Sequence, residues 1–378
     1  MSRLFLFIIL IGITTFSCDT KKKTIVNTKD QVVENVMERP AKNIILMIGD
    51  GMGITQISSG MCSNGYYLNL ERFKNLGLHK DYSSDALITD SAAGATAFAY
   101  GVKTYNGAIG VDSDTNAVET ILEEAESLGM KTGLIATSTI EHATPASFIA
   151  HNKYRRNYEE IALDFLKTDS EIFIGGGQKS FERREMDDRN LSDELRAKGY
   201  TVVSFVDKDI DEIDMTSVDK LMYYTADGAP LMVSQGRDYL QSAAQLSIDH
   251  LNKANEKGFF LMIEGSQIDW GGHANDGNYI ITEMIEFDKT IGKVMDFAEK
   301  DGNTLVIVTA DHETGGFAIQ KESKMDSLVT AFTSDYHTGD LIPVFAYGPG
   351  ADKFRGIYEN TAIYHKMRAA FGWKAKKD

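Results

Sequence analysis

The chain has 378 residues, a net charge of −16, 43% hydrophobic and 25% charged residues, and two cysteines. That apolar content is too high for a disordered chain, 33 glycines without a three-residue period make no collagen helix, and two cysteines build no disulfide framework. A chain this acidic is a poor general binder of nucleic acid, and any attraction for an anion must be local. Arg3 precedes an apolar run over residues 4–16 that ends at Ser17 and Cys18. The run is too short to span a bilayer and suits a signal peptide over residues 1–18. Cys18 resembles the cysteine of a bacterial lipoprotein signal. Either it is lipidated, which would be the chain's only membrane attachment, or the peptide is simply removed. Both readings predict export, to a periplasm or as an anchored lipoprotein of a bacterial envelope. Residues 19–40, rich in Lys and Thr, read as a tether. With Cys18 used in this way Cys62 has no partner and reads as a small, half-buried apolar residue.

Residues 41–378 read as a single domain. Short apolar runs at 43–48 (NIILMI), 133–136 (GLIA), 259–263 (FFLMI), 304–309 (TLVIVT) and 344–347 (VFAY) lack alternation, as buried parallel strands do. Another run, 172–174, ends in the turn Gly175-Gly176-Gly177. Helical spacing of apolar residues falls at 118–128, 241–254 and 282–300. This alternation predicts an α/β fold, a doubly wound, mostly parallel sheet with helices on both faces. Residues 178–222, charged and rich in Asp, read as an excursion of the same domain.

Polar residues gather after the strands. Asp50 follows the first run, Thr144 the second after a short loop, and Glu264, Asp269 and His273 the third. Asp311 and His312 follow the fourth, and His337 comes shortly before the last. The carboxyl ends of parallel strands share one edge, where ligands bind, so these residues are expected to converge. Asp50, Glu264, Asp269 and Asp311 would then share a partly desolvated edge, and no Lys or Arg follows these strands to compensate them. Divalent metal ions are the remaining compensation. Imidazoles with carboxylates suit zinc, and an all-oxygen set of Asp, Thr and Glu suits magnesium. Ser91 opens a run of small residues that reads as a helix, where free N–H groups hold a phosphate and a metal activates the hydroxyl. Arg155 is placed to fork two phosphate oxygens. Two patterns are decoys. Residues 49–53 (GDGMG) follow a strand but are followed by Ile54, so the dinucleotide spacing fails. Asp112, Asp114, Asn116 and Glu123 imitate a calcium loop, but Ala117 replaces the turn glycine; residues 114–116 read instead as the cap of the next helix.

The motifs IGDGMG (48–53), TDSAAGATA (89–97), HATPASFIAH (142–151), EGSQIDWGGH (264–273), TADHETGG (309–316) and YHTG (336–339), in this order, resemble the alkaline phosphatases over nearly all of residues 42–373. The resemblance implies an alkaline-phosphatase-like fold and a phosphomonoesterase with an alkaline optimum that works through a phosphoserine at Ser91. It assigns one zinc to Asp269, His273 and His337, and a second to Asp50, Asp311 and His312. It assigns magnesium to Asp50, Thr144 and Glu264, and the phosphate clamp to Arg155. It also implies small phosphate monoesters as substrates, no nucleic-acid surface, and a homodimer. His142 and Trp270 stand where one bacterial branch has Asp and Lys. His142 favours zinc or cobalt over magnesium as the third ion, while Trp270 either takes away a water-mediated phosphate contact or simply packs at the rim. A sulfatase would need a C/S-x-P-x-R motif, which the run from Ser91 to Ala95 lacks. A phosphodiesterase of the same superfamily, and a non-catalytic surface lipoprotein that binds metal or phosphate, are the alternative readings.

Overall fold

A computed structural model describes residues 39–374 apart from Ala254 and Asp326. The readings of residues 1–18, of Cys18 and of the tether before Arg39 lie outside the described residues. The strands in chain order are β1 (Asn43–Gly49), β2 (Asn75–Lys80), β3 (Lys131–Thr139), β4 (Ile172–Gly176), β5 (Tyr200–Ser204), β6 (Lys220–Tyr224), β7 (Phe259–Gly265), β8 (Thr304–Thr309), β9 (Glu313–Thr314), β10 (Ala318–Ile319), β11 (Thr330–Ala331), β12 (His337–Thr338), β13 (Ile342–Tyr347) and β14 (Gly356–Glu359). Ten of them form one sheet in the order β14-β2-β13-β8-β1-β7-β3-β4-β6-β5, and β9 with β12 and β10 with β11 make two short ribbons.

The central strands are apolar at successive positions because each face packs its own helix layer. Along β1, Ile44, Leu46 and Ile48 enter one core while Ile45 and Met47 enter the other. The second core is covered by the helix Gly277–Asp301, which buries Met284, Phe287, Ile291, Val294, Met295 and Ala298 at spacings of three and four. Asp276 caps that helix through the N–H groups of Asn278 and Tyr279, and Gly302, with φ +68°, ends it. Among the described residues no helix is long and apolar enough to cross a membrane.

Two sequence expectations are corrected. The run 344–347 belongs to β13, which is not parallel: it runs antiparallel to both neighbours, β2 and β8. Apolar content reports burial on both faces, which a reversed strand inside the sheet shares. Residues 114–116 do not cap the next helix. Asp112 Oδ1 accepts from the N–H groups of Asp114 and Asn116 to close a turn, and the cap of the helix Ile121–Ser127 is Thr120, in a capping box with Glu123. The segment 178–222 contributes the helices Gln178–Glu182 and Leu191–Ala197 and the strands β5 and β6, which end the sheet on that side.

Candidate metal centre and its serine

Register places the site. Ile48 of β1 lies beside Glu264 of β7 and Thr309 of β8, so Asp50, Glu264 and Asp311 emerge at one edge. The turn after β1 is tight. Gly51 has φ +73°, and a Cβ there would come within 2.7 Å of both the Asp269 Cα and the Thr314 hydroxyl. His337 reaches the same edge from the other direction. Because β13 runs backwards, the residues that precede it lie beside those that follow its parallel neighbours, and His337 pairs with Thr314 in the β9–β12 ribbon.

Two groups form. Ligand-type atoms of Asp269, His273 and His337 lie within 4.8 Å of one another, and so do those of Asp50, Asp311 and His312. Asp269 and His273 share one face of the helix Gln267–His273, with Oδ1 and Nε2 3.4 Å apart. The histidines are pre-oriented. His273 Nδ1–H donates to the Asp335 carbonyl at 2.7 Å, and His337 Nδ1–H to the Thr89 carbonyl at 2.8 Å. Their Nε2 atoms then face each other at 3.2 Å as two lone pairs, an arrangement that a cation relieves. His312 Nδ1 lies 3.2 Å from the Thr314 hydroxyl, which donates to Asp269 Oδ1 at 2.5 Å. This leaves His312 Nε2 facing Asp311 Oδ2 at 3.3 Å, Asp50 Oδ1 at 3.5 Å and Ser91 Oγ at 3.3 Å.

The electrostatics calls for cations. Burial, reinforced by Asp311, Asp269 and Glu264, holds the Asp50 carboxyl far above the usual range. Burial, with Asp269 adding, pushes Asp311 up to about 8, and burial pushes Glu264 to about 7 against the pull of the Ser138 hydroxyl, which donates to it. Burial also lowers the pKa of His312 and His337, which favours the neutral form that metal ligation requires. Both Asp50 oxygens, Asp311 Oδ2, Glu264 Oε1 and the Thr144 hydroxyl are buried without a hydrogen-bond partner. Buried polar atoms are almost always paired, so this constellation of orphaned oxygens fits divalent ions.

Ser91 is the first residue of the helix Ser91–Tyr100, and Asp90 is its cap. Asp90 Oδ1 accepts from the N–H groups of Ala93 and Gly107, and Oδ2 receives Arg155 Nη1 at 2.9 Å. One carboxylate therefore fixes both the helix end that presents Ser91 and the guanidinium beside it. Burial works against the Arg155 charge, but Asp90, Asp50 and Asp269 more than offset it and the net effect strengthens its basicity. Neighbouring Arg156 is exposed. His142 is half-buried, its pKa pushed down to about 3 by desolvation and then by Arg155. It stacks on Tyr158 at 6.3 Å and meets the edge of half-buried Trp270 at 6.2 Å, with Nδ1 unpartnered. Sequence reasoning missed Thr314, which ties the two metal groups together, and Ser138, whose hydroxyl donates to Glu264 at 3.3 Å. Thr314 had a signal, its place in the motif 309–316.

The fold and this edge define a class: an α/β enzyme built to hold metal ions beside a serine at a helix start. The chain matches the alkaline phosphatase family model over residues 41–331 and 320–373. It is 36% identical to alkaline phosphatase 4 of Bacillus subtilis, over 85% of this chain and 86% of that protein. It is 31% identical to the Escherichia coli alkaline phosphatase, over 90% and 88%. The alkaline phosphatase of the Antarctic bacterium TAB5 superposes with a TM-score of 0.84 at 45% identity, covering 89% of this chain and 100% of that one. The chain belongs to the alkaline phosphatase family and is a phosphoric monoester hydrolase.

Proposed function

We propose that the enzyme hydrolyses phosphate monoesters through a phosphoserine at Ser91, with two zinc ions and one magnesium, and works best at alkaline pH. The observation that carries this is the meeting of Ser91 Oγ and His312 Nε2 at 3.3 Å beside a guanidinium held by the serine's own helix cap. Asp269, His273 and His337 would hold one zinc, and Asp50, Asp311 and His312 the other. Asp50, Thr144 and Glu264 would hold magnesium, with His142 at that corner able to favour zinc or cobalt. Variants of the Antarctic relative in which a histidine is replaced by Asp or Glu have been solved with magnesium in a site designated M3, so a carboxylate in place of that histidine accommodates magnesium there. When bound, such ions supply Lewis acidity and positive charge.

The chain's own residues do the positioning. Arg155 presents a planar fork to two phosphoryl oxygens. The free N–H groups at the start of the helix Ser91–Tyr100 add an anion-binding end. Ser91 Oγ attacks phosphorus in line as the ester P–O bond breaks and the alcohol leaves, taking up a proton, and water later cleaves the phosphoserine to phosphate and the free Ser91 hydroxyl. The alkoxide form of serine is its nucleophile, and rising pH favours it. Ser91→Ala should lose at least about a thousandfold in turnover while still binding inorganic phosphate. Near-normal turnover of nitrophenyl phosphate by that variant would sink the assignment. Faster hydrolysis of bis-nitrophenyl phosphate than of nitrophenyl phosphate would favour the phosphodiesterase reading.

A further inference from the structure

His312, His337 and Tyr336 make a stack of rings that leads out of the site. His337 lies on His312 with centroids 3.4 Å apart and planes at 15°, and Tyr336 lies on His337 at 4.4 Å and 8°. Ser91 touches the inner end of the stack, and Tyr336, 47% exposed, forms the outer end. Phosphoryl transfer places the nucleophile and the leaving oxygen on opposite sides of phosphorus. With Ser91 at the inner end, the leaving alcohol departs past His273 and His337, towards Tyr336.

The rim it meets there is apolar. Residues 87–89 lie against 337–339: the Thr89 carbonyl holds His337, and Ile88 Cδ1 comes within 3.3 Å of where a Cβ on Gly339 would stand. Leu87 is 78% exposed and Leu341 40%. Segments 85–91 and 334–341 contain Asp85, Asp90, Asp335 and Asp340, and Arg155, paired with Asp90, is the cation whose charge reaches Tyr336. Exposed apolar side chains grouped beside a site mark a binding surface. Tyr336 is not needed to hold His337, whose ring is fixed by its Nδ1 hydrogen bond and whose backbone pairs in the β9–β12 ribbon.

We infer that Tyr336 is a specificity-determining residue, whose exposed ring is the platform for a planar, uncharged leaving group such as the aromatic part of an aryl or nucleoside monophosphate. This inference rests on the Ser91 reading above, because that reading sets the direction of departure.

The test uses the full enzyme supplied with zinc and magnesium. The ratio of kcat/KM for adenosine monophosphate to that for glycerol 2-phosphate is measured in the wild type, Tyr336→Ala and Tyr336→Phe. From the strength of base–aromatic stacking, Tyr336→Ala should lower the ratio about five- to twentyfold, chiefly through KM, and Tyr336→Phe should restore it. Calorimetric binding of phenylphosphonate and methylphosphonate gives a second readout without turnover, and the preference for phenyl should shrink by a similar factor. A ratio unchanged within about twofold, whether both rates fall together or neither falls, overturns the platform, because stacking discriminates between substrates and a prop for His337 does not. If the wild type hydrolyses neither ester, the proposed function fails, while the phosphonate pair still judges the platform.

Discussion

His79 shows how far burial governs a single side chain in this protein. It is fully buried, donates Nε2–H to the Ala310 carbonyl at 2.9 Å, and meets Phe98 edge to face at 5.4 Å. Desolvation pulls its pKa down to about 4. The unfolded chain therefore takes up this proton near pH 6.5, before the folded chain does, and stability falls as pH drops from about 6.5 to 4. Over that window the linkage amounts to about 3 kcal/mol at most. His79→Gln, which keeps a donor but does not titrate, should flatten the acid limb. Urea midpoints at pH 7 and pH 4.5 would show it, and equal slopes in both proteins would assign the acid sensitivity to other groups. Asp90 is the counterpart at the same scale. It is buried and shares its two oxygens between two backbone N–H groups and Arg155.

At the scale of elements, ends matter more than middles. The helix Ile121–Ser127 is short, and its box is complete: the Thr120 hydroxyl accepts from Glu123 N–H at 3.2 Å while Glu123 Oε2 receives Thr120 N–H at 2.8 Å. The same hydroxyl donates to the Phe148 carbonyl at 2.6 Å, stapling the helix start to the loop after Thr144. Thr120→Ala removes the cap and leaves that buried carbonyl unpaired, so it should cost about 2 kcal/mol, read as a lower urea midpoint at unchanged slope. A loss below about 0.5 kcal/mol would mean that water replaces both bonds. Strand ends carry the chemistry for a related reason. β1, β7 and β8 stop in register, so a polar residue placed just after each apolar run is delivered to the same edge.

For the whole molecule the decisive quantity is the charge gathered at that edge. Burial makes Asp50, Asp311 and Glu264 all resist ionisation, and Asp269 adds to this at Asp50 and Asp311. A carboxyl whose folded pKa is raised binds its proton longer in the native state, so the metal-free protein should lose stability as pH rises from about 4 to 8. Ions that bind only the folded chain add stability by mass action and remove that trend. Chelation should therefore lower the melting temperature more at pH 8.5 than at pH 6, and resupplying zinc and magnesium should restore it together with activity. Identical melting curves with and without chelator at pH 8.5 would contradict the charge argument.

Much of this was legible along the chain. The runs 43–48, 259–263 and 304–309 were readable as buried strands because a strand covered on both faces admits no polar alternation. The spacing of Asp269 and His273 showed a shared helix face. The six motifs, taken in order, carried the family. Strands β2, β5 and β14 were not legible, because they lie towards the outer parts of the sheet, where exposure dilutes the apolar signal; β6 is buried, but its run of four residues after Lys220 is too short and too near an Asp-rich stretch to stand out. The sequence by itself determined the family and which residues are candidates for the chemistry, since residue type and position after a strand are local properties. Only the tertiary structure decided the direction of β13, and with it how His337 joins Asp269 and His273 across more than sixty residues of chain. It also decided that Asp90 clamps Arg155 and that Tyr336 closes a stack of rings. These depend on which distant backbones run side by side, which strand pairing across the whole sheet sets and no local pattern encodes.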